Sequence, residues 1–372
     1  MIARKSLAIE SNFTLDAYLV HKNLAYYISG HGYGHYARSI PVLRQLVIDF
    51  NVHIKSEIQE SFFTKYFKEN IQHWCQPVDT GCQHFNSLEV DCEATFRKFK
   101  SFQDRSTIEM EKTWLRENQI ALVLSDIASM PLKAAHELSI PSILIGNFTW
   151  HDIYKGLKGA EEQKYLLQVL EEEYSCADLQ ILPQCYLPPP VTMKSKEVGF
   201  IAQKGQDIRK DIEEYLNFCF EGKTLVFIYL GEYGNRSVLW ENLSKSKDCL
   251  YLTRDPIEQQ VNGVYILDDR FDFPDLIASA DVVCTKGGYS TIGSALSSHK
   301  PIITCERHDF NEFGAIREYL LKTRTGVIIE DQDFYEGNWQ GAIKTALNLT
   351  VKDKVPLDGE IEILETVHQI LS

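Results

Sequence analysis

The sequence lacks the features of several specialised protein classes. Its cysteines are odd in number, at nine, and include no C-x-x-C pair, so neither a disulfide framework nor a paired-cysteine zinc site is expected. No apolar run is long enough to span a membrane, and residues 1–20 contain no continuous apolar segment of the kind found in signal peptides. We therefore expect reduced thiols, no bound metal and a cytoplasmic location.

Positive charge is scarce as well. The 38 lysine and arginine residues are outnumbered by 52 aspartate and glutamate residues, which gives a formal net charge of −14. A surface of this sign repels phosphate backbones and anionic lipids, which argues against nucleic acid or a membrane surface as the main partner. An anion that this protein binds must therefore be held locally, by backbone N–H groups and a few cationic side chains.

The chain does contain a sustained alternation of strand-like and helix-like segments. The predicted strands are Leu24–Ile28, Val52–Lys55, Ile120–Leu124, Ser142–Ile145, Asp178–Ile181, Thr224–Leu230, Cys249–Leu252, Gly263–Leu267, Val282–Thr285 and Pro301–Cys305. Such alternation is typical of parallel sheets with helices on both faces. We predict an α/β fold with two tandem Rossmann-like, doubly wound domains that face a central cleft.

The domain boundary is predicted at the prolines Pro188 to Pro190, which interrupt the alternation. Residues 1–190 form the first predicted domain and residues 191–354 the second. A terminal amphipathic helix is predicted within residues 355–372, where it can pack back on the N-terminal domain.

The first predicted strand runs into a loop with three glycines and two histidines, Gly30-His31-Gly32-Tyr33-Gly34-His35, before a helix predicted over Ser39–Val47. Glycine lets the backbone approach a ligand closely, and exposed N–H groups of such a loop can hold an anion. Histidine transfers protons near neutral pH, so either His31 or His35 can serve as a general base. The segment therefore indicates a transferase site, with a plain tight turn as the alternative.

Asp126 follows the predicted strand Ile120–Leu124 of the same domain. The carboxyl ends of parallel strands lie at one edge of a sheet, so Asp126 is expected beside the histidine-containing loop. A carboxylate in that place orients an imidazole ring and stabilises its protonated form. The alternative role for Asp126 is to cap the helix that follows.

The second glycine-rich segment, Lys286-Gly287-Gly288-Tyr289-Ser290-Thr291, again lies between a predicted strand and a predicted helix, Thr291–Ser298. Backbone N–H donors, a hydroxyl group, the charge of Lys286 and a helix N-terminus together suit a diphosphate group. The segment is not a Walker motif, because no Gly-Lys-Ser/Thr sequence ends it. The alternative is an ordinary turn in which Ser290 or Thr291 caps the helix.

Two further loops follow predicted strands and carry side chains suited to sugars. Carboxylate and amide groups in Glu306–Glu312 suit hydroxyl-rich ligands, unless this loop is simply solvated surface. Trp150 and His151, in the segment Gly146–Asp152, are candidate acceptor contacts, although the aromatic rings of that segment can equally pack the domain.

These motifs resemble the GT-B glycosyltransferases. The resemblance is strongest to the glycosyltransferase-like N-terminal region of plant L-arabinokinases. The matching stretches are AYYISGHGYGHYARSIPVLRQL, LVLSDIASMPLKAAHELSIPSILIGNFTWHDIY, EEEYSCADLQILP and DLIASADVVCTKGGYSTIGSAL with ERHDFNEF, and they extend over residues 24–320. More distantly, the chain is similar to the bacterial peptidoglycan GlcNAc-transferase and the plant UDP-glycosyltransferases.

The resemblance implies roles for particular residues. His35 matches the general base of those families, and Asp126 matches the aspartate that orients it. The donor diphosphate is then gripped by the second glycine-rich segment, and the donor sugar by an acidic or amide pair in the later loop. The candidate donor contacts, including those chosen from the residues alone, are Gly32, Gly34, Gly231, Lys286, Gly287, Gly288, Ser290, Thr291, Asp309, Asn311 and Glu312.

Two positions depart from the family pattern. Arg38 stands where those families usually have proline, and Ser294 stands where they have a glutamate that holds the ribose hydroxyls. Serine cannot make that bidentate contact, so the ribose is held otherwise, the nucleotide differs, or donor binding has been lost.

The predicted function is transfer of a sugar from a nucleotide sugar, with a UDP-sugar favoured, to a hydroxyl-bearing small molecule or glycan. The resemblance implies a transfer that inverts the anomeric configuration and requires no metal. No cofactor is expected beyond the donor substrate. The alternatives are a nucleotide-sugar epimerase or hydrolase on the same fold, or an inactive nucleotide-sugar-binding module. The sequence does not indicate an oligomeric state.

Overall fold

A computed structural model describes residues 21–84, 90–103, 105–190, 193–231, 238–307, 311–351 and 355–372. In these ranges the strands form two sheets. The first sheet contains β1 (Asn23–Ile28), β2 (Asn51–Ser56), β3 (Ile71–Cys75), β4 (Ile120–Asp126), β5 (Ser142–Ile145), β6 (Leu179–Pro183) and β7 (Ser195–Val198). The second contains β8 (Thr224–Tyr229), β9 (Cys249–Thr253), β10 (Val264–Ile266), β11 (Val282–Thr285), β12 (Ile302–Cys305) and β13 (Gly326–Ile329).

Helices connect and cover the strands. They are α1 (Tyr33–Asp49), α2 (Glu60–Thr64), α3 (Cys92–Phe102), α4 (Arg105–Glu117), α5 (Met130–Glu137), α6 (Trp150–Lys155), α7 (Lys164–Tyr174), α8 (Arg209–Leu216), α9 (Trp240–Leu243), α10 (Phe273–Ser279), α11 (Tyr289–Ser297), α12 (Glu312–Thr323), α13 (Asp331–Tyr335), α14 (Gln340–Leu347) and α15 (Gly359–Leu371), with a short 3-10 helix at Ala160–Gln163. None of the helices in the described ranges has the length and apolar character needed to cross a membrane.

Both sheets have the strand order of a doubly wound fold. The first runs β3-β2-β1-β4-β5-β6-β7 and the second β10-β9-β8-β11-β12-β13, and the paired strands are parallel throughout. In each sheet the order reverses at one place, between β1 and β4 and between β8 and β11. Loops at such a reversal diverge to opposite faces and leave a crevice, which is where ligands bind in open α/β sheets. The predicted fold of two Rossmann-like domains is confirmed.

The predicted strands of the sheet centres are all present, but three strands were not predicted. These are β3, β7 and β13, and each of them lies at an edge of its sheet. Most of their side chains are partly or fully exposed, whereas β1, β5 and β12 are almost completely buried. β3 and β7 carry no continuous apolar run, so the hydrophobic pattern that reveals a central strand is missing there. β13 does carry such a run, Val-Ile-Ile, and was overlooked.

The first sheet extends past the predicted boundary at residue 190. The reason is β7, whose sequence Ser-Lys-Glu-Val is too polar to be read as a strand, so β6 was wrongly predicted to be the last strand of that sheet. The chain then crosses to the second sheet through Phe200 and returns beside the same place. The N–H of Phe200 donates to the carbonyl of Pro356 at 2.9 Å, and the N–H of Gly359 donates to the carbonyl of Phe200 at 3.3 Å.

The returning helix α15 lies on the first domain. Its buried residues Ile363 and Val367 share an apolar core with β1, β2 and α1. The amphipathic pattern of α15 therefore buries its apolar face against the N-terminal sheet layer, although the helix follows the second domain in the chain.

Helix α1 contains Pro41, and the carbonyl group that this proline leaves without a helical donor is bound by a residue beyond the first sheet. Proline has no N–H, so the carbonyl of Ala37, four residues earlier, loses its usual helical donor. The side-chain Nε2 of Gln203 donates to this carbonyl at 3.1 Å. A helix defect in the first domain is thus satisfied by a residue that lies beyond the crossing segment.

Candidate functional site

His35 lies in the first turn of α1, not in the loop where it was predicted. The helix begins at Tyr33, with Gly32 at its N-cap at a positive φ of 77°. Helix and strand β1 both belong to the reversal point of the first sheet, and Ile28 at the end of β1 pairs with Asp126 at the end of β4. The backbone therefore brings His35 and Asp126 to the same edge of the sheet.

The His35 and Asp126 side chains are in direct contact. His35 Nδ1 lies 2.7 Å from Asp126 Oδ1, and both side chains are buried. Burial alone would raise the pKa of Asp126, but the charges of Arg38 and His35 outweigh it and hold that pKa below its ordinary value. Asp126 is thus a carboxylate that fixes one ring nitrogen of His35. The alternative role as a helix cap does not apply, because Ser129 is the N-cap of α5.

Arg38, one turn further along α1, holds the same carboxylate. Its Nε lies 3.0 Å from Asp126 Oδ2 and its Nη2 lies 2.6 Å from Asp126 Oδ1. Its third nitrogen, Nη1, donates to Asn147 Oδ1 at 2.5 Å. Asn147 in turn donates through Nδ2 to Glu312 Oε1 at 2.6 Å.

A continuous line of five polar side chains runs from the first domain to the second: His35, Asp126, Arg38, Asn147 and Glu312. All are buried, and Glu312 is the first residue of α12. Burial raises the pKa of Glu312, although the hydrogen bond from Asn147 and the charge of Arg38 oppose this. The line joins a histidine at the first reversal point to a carboxyl group of the facing domain.

His31 occupies a different environment from His35. Its ring stacks on His84 with centroids 5.3 Å apart and meets the edge of Trp150 at 5.1 Å. Burial and then the nearby charge of His35 lower the pKa of His31 to about 3. The His31 ring therefore stays neutral over the physiological range, and its protonated form is strongly disfavoured. The His31 ring thus packs against other rings, whereas the His35 ring is hydrogen-bonded to the Asp126 carboxylate.

Trp150 and His151 lie at the start of α6, where a capping box between Thr149 and Asp152 begins the helix. Trp150 is buried and donates through Nε1 to Asp79 Oδ2 at 2.9 Å. His151 is also buried, and its Nε2 lies 3.0 Å from Glu171 of α7. Trp150 thus contacts the His31 ring, whereas the polar contact of His151 leads to a helix of the outer layer.

The reversal point of the second sheet is built mainly from backbone. Helix α11 begins at Tyr289 with Gly288 as its N-cap, so Ser290 and Thr291 lie in the first turn and neither of them is the cap. The first N–H groups of a helix have no partner within it and bind anions well. Gly287 has φ +85°, and a Cβ there would lie 2.8 Å from the Phe313 ring, so only glycine fits.

Lys286 and Gly231 meet at this point, from β11 and β8. A Cβ on Gly231 would lie 3.1 Å from Lys286 Nζ, and the N–H of Gly231 donates to Asp255 Oδ2 at 3.2 Å. Across the cleft, the Ser290 hydroxyl donates to the carbonyl of Gly34 at 2.7 Å. Ser290 and Gly34, both predicted to bind the nucleotide-sugar donor, are thus in contact across the two domains.

A cavity of about 760 Å³ opens beside this contact, between the domains. Its lining includes aromatic rings, a few charged groups and three small hydroxyl residues: Tyr33, Tyr36, Phe62, Lys65, Tyr66, Tyr229, Arg254, Asp269, Asp272, Phe273, Ser290, Thr291 and Ser294. Its volume lies within the range for small-molecule and cofactor sites. Lys65, the C-cap of α2, pairs with Asp272, the N-cap of α10, so an ion pair joins the two domains among the lining residues.

The remaining predicted residues have mixed placements. Asp309 lies outside the described residues. Asn311 is exposed at the N-cap of α12, near the end of α6, where a Cβ on Gly156 would lie 2.7 Å from Asn311 Nδ2. Arg38 and Asn147 were missed as site residues. Two sequence features could have indicated these site residues. Asn147 lies shortly after strand β5, and Arg38 is a charged residue on the buried face of helix α1.

No group of three or more histidine, cysteine, aspartate or glutamate side chains with metal-binding geometry occurs in the described part of the chain. The five-residue line carries a histidine and two carboxyl groups, but Arg38 lies between them.

A relative from Arabidopsis thaliana, L-arabinokinase, is 26% identical to this chain over 354 residues. The match covers 93% of this chain and 34% of the relative, so the chain spans about a third of that protein's length. No family model matches the sequence.

Solved structures show the fold. A UDP-glucosyltransferase from Polygonum tinctorium capable of glucosylating indoxyl superimposes with a TM-score of 0.65 at 15% identity, covering 94% of this chain and 98% of that one. MurG from Acinetobacter baumannii gives a TM-score of 0.58 at 12% identity, covering 94% of this chain and 99% of its own. The chain has the fold of the GT-B glycosyltransferases, and the resemblance seen in its motifs is confirmed.

Proposed function

We propose that this chain, which has the GT-B fold, transfers a sugar from a nucleotide sugar to a hydroxyl group of an acceptor. The observation that carries the proposal is the buried His35–Asp126 pair at one reversal point, opposite a glycine-rich helix start at the other. One of these arrangements suits proton removal, and the other suits a diphosphate. The likeness in fold to the indoxyl-glucosylating enzyme supports the proposal.

In the proposed reaction, His35 Nε2 takes the proton of the acceptor hydroxyl while Nδ1 stays hydrogen-bonded to Asp126. The acceptor oxygen forms a bond to the anomeric carbon, and the bond from that carbon to the diphosphate oxygen breaks. The diphosphate leaves with the electron pair. A single displacement of this kind inverts the anomeric configuration, and the imidazolium is stabilised by the Asp126 carboxylate.

The leaving diphosphate is stabilised by the start of α11 and by Lys286. The N–H groups of the helix start, its positive dipole end and the ammonium charge are placed before the reaction begins, so little reorganisation is needed. Side chains and backbone supply this charge stabilisation in the proposed scheme, which therefore requires no metal.

The nucleotide is assigned to the cavity between the domains. Ser294 lines this cavity in place of the family's glutamate, so the ribose hydroxyls need another partner. Asp269 and Asp272 are carboxylates that also line the cavity. We favour a UDP-sugar as the donor, in line with the Polygonum enzyme. Thermal stabilisation by UDP, GDP, dTDP, CMP and their common sugars identifies the nucleotide, because a ligand of the native state raises its unfolding midpoint.

The decisive experiment measures transfer with the identified donor and a panel of hydroxyl acceptors. His35→Ala and Asp126→Asn are each expected to lower kcat by about 100-fold or more, because a positioned general base contributes about 10²–10⁴-fold. His368→Ala is the matched control, since His368 is exposed on α15 and contacts Asp49. Full transfer activity in both site variants would refute the proposal.

Ser294 also favours a second candidate, a nucleotide-sugar-binding module without catalysis. In that case the nucleotide sugar raises the unfolding midpoint but remains unchanged after long incubation with every acceptor. Consumption of the nucleotide sugar without any acceptor would instead indicate an epimerase or a hydrolase.

A further inference from the structure

Arg38 is a buried arginine that contacts four other groups of the site, one of them His35, whose Nδ1 lies 3.3 Å from Arg38 Nη2. It holds both oxygens of Asp126, contacts Asn147 and lies over the Tyr289 ring of the second domain at 5.5 Å. Burying a guanidinium is costly unless its donors are satisfied, so a side chain with this many partners is held in one position. Arg38 therefore holds the Asp126 carboxylate in a fixed position.

The contacts of Arg38 limit the orientation in which the Asp126 carboxylate can bind His35. Asp126 Oδ1 is shared by His35 Nδ1 and Arg38 Nη2, and Oδ2 receives Arg38 Nε and, at 3.4 Å, the Ser39 hydroxyl. An arginine fork fixes the plane of the carboxylate that it binds. Since the His35 ring is hydrogen-bonded to that carboxylate, its orientation depends on the placement of Arg38.

Arg38 is in turn linked to the second domain through Asn147. Asn147 accepts from Arg38 through Oδ1 and donates to Glu312 through Nδ2, so its two ends join opposite sides of the cleft. An asparagine amide has distinct donor and acceptor ends, and both are used in this arrangement. A shift of α12 would remove the partner of Asn147 and loosen its hold on Arg38.

We propose that Arg38 and Asn147 are positioning residues that tie the orientation of the His35–Asp126 pair to the seating of the second domain. The proposal rests on the proposed function for its catalytic consequence. The physical link, from Glu312 through Asn147, Arg38 and Asp126 to His35, stands on the described contacts alone. The second domain, which carries the diphosphate contacts, thereby orients the base in the first.

The first test needs no activity. Histidine labelled with ¹⁵N gives imidazole signals for His35, assigned by their loss in His35→Ala. The wild type is expected to show one sharp set of His35 signals, whereas Asn147→Leu and Arg38→Lys are expected to show shifted and broadened or doubled sets. Arg38→Lys keeps the charge but cannot contact Asp126 and Asn147 as a fork.

Two variants divide the link at Asn147. Asn147→Asp keeps an oxygen for Arg38 but cannot donate to Glu312, so the His35 signals are expected to change. Glu312→Gln keeps an acceptor oxygen for Asn147, so they are expected to stay as in the wild type. Ser125→Ala is the control for general loss of stability, because Ser125 is buried next to Asp126 but donates to the Ala128 carbonyl.

The second test measures transfer kinetics. Asn147→Leu is expected to lower kcat by about 10- to 100-fold, since a misplacement of about 1 Å can cost 10²-fold, with the donor KM within about twofold of wild type. Ser125→Ala is expected to keep the wild-type kcat. A merely structural role for Asn147 would lower the unfolding midpoint and leave kcat of the folded enzyme unchanged.

The outcomes separate this proposal from the proposed function. Altered His35 signals in Asn147→Leu support the link even if no donor is ever turned over, in which case only the proposed function fails. Unaltered His35 signals in Asn147→Leu, Asn147→Asp and Arg38→Lys overturn the link even if sugar transfer is demonstrated.

Discussion

The two reversal points of this molecule share a topology but differ in chemistry. At the first, His35, Asp126 and Arg38 are ionisable side chains that contact one another in a buried line. At the second, Gly287 and Gly288 lead into a helix start, and Lys286 supplies one cationic side chain. The same strand order therefore supports a site built from charges in one domain and a site built from backbone in the other.

The difference shows what each kind of site depends on. A buried charge cluster depends on pairing, because every member that loses its partner becomes costly. A backbone site depends on conformation, because only glycine adopts some of the required φ angles without strain. The two reversal points should accordingly fail in different ways when they are altered, and three predictions test this.

The largest effect is expected when the charge pairing of the first site is broken. Asp126→Asn leaves the Arg38 guanidinium buried without its carboxylate, which should lower the free energy of unfolding by about 3–5 kcal/mol. Urea denaturation of the purified variant measures this. A decrease below about 1 kcal/mol would mean that Arg38 finds another partner.

A double-mutant cycle gives the control for this prediction. Asp126→Asn combined with Arg38→Met removes both charges, so the double variant should be more stable than the sum of the single effects implies, by about 1 kcal/mol or more. Additive effects would show that the two charges do not stabilise one another.

The second site should be sensitive to backbone conformation. Gly287→Ala places a side chain at φ +85° and against the Phe313 ring, so we expect a loss of about 2–3 kcal/mol in the free energy of unfolding. Gly288→Ala is the matched control, because its φ is −71° and a Cβ there meets open space. Equal losses in the two variants would contradict this account.

The smallest expected effect concerns pH. The folded state holds the pKa of His31 at about 3, whereas the unfolded chain binds a proton near pH 6.5. The unfolded state therefore gains protons first on acidification, and stability should fall by up to about 2 kcal/mol between pH 7 and pH 5 on account of His31. His31→Asn should lack this part of the pH dependence in parallel urea titrations.

His53 and His73 also have lowered pKa values because of burial, and they remain in the His31→Asn variant. Their contributions cancel when the two proteins are compared at each pH. An identical pH dependence in wild type and variant would show that His31 is protonated as easily in the folded state as in the unfolded chain.

The central strands could be predicted because both of their faces are buried. Strands such as Ser142–Ile145 and Val282–Thr285 consist of apolar runs bounded by turn signals, and the predicted bounds match the observed ones. The edge strand Ser195–Val198 has mostly polar side chains, so its pairing with β6 depends on the neighbouring strand and not on a local pattern. This one strand explains why the predicted domain boundary came too early.

The site residues divide in the same way. His35, Asp126 and Gly287 could be selected because each follows a predicted strand and has a side chain, or lacks one, with an evident use. Arg38 was noticed only as a departure from proline, and Asn147 was not selected at all. Their importance comes from what they contact, and those partners lie 88 and 165 residues away in the chain.

The sequence by itself determined the two parallel sheets, their central strands and the two glycine-rich turns, because hydrophobic period and glycine conformation are local properties. Only the tertiary structure decided which histidine meets Asp126, how Arg38 is held, and that Asn147 joins Glu312 across the cleft. Those contacts form where separate segments of the chain approach within a few ångströms. A pattern along the chain cannot encode such distances, because they depend on how both domains pack.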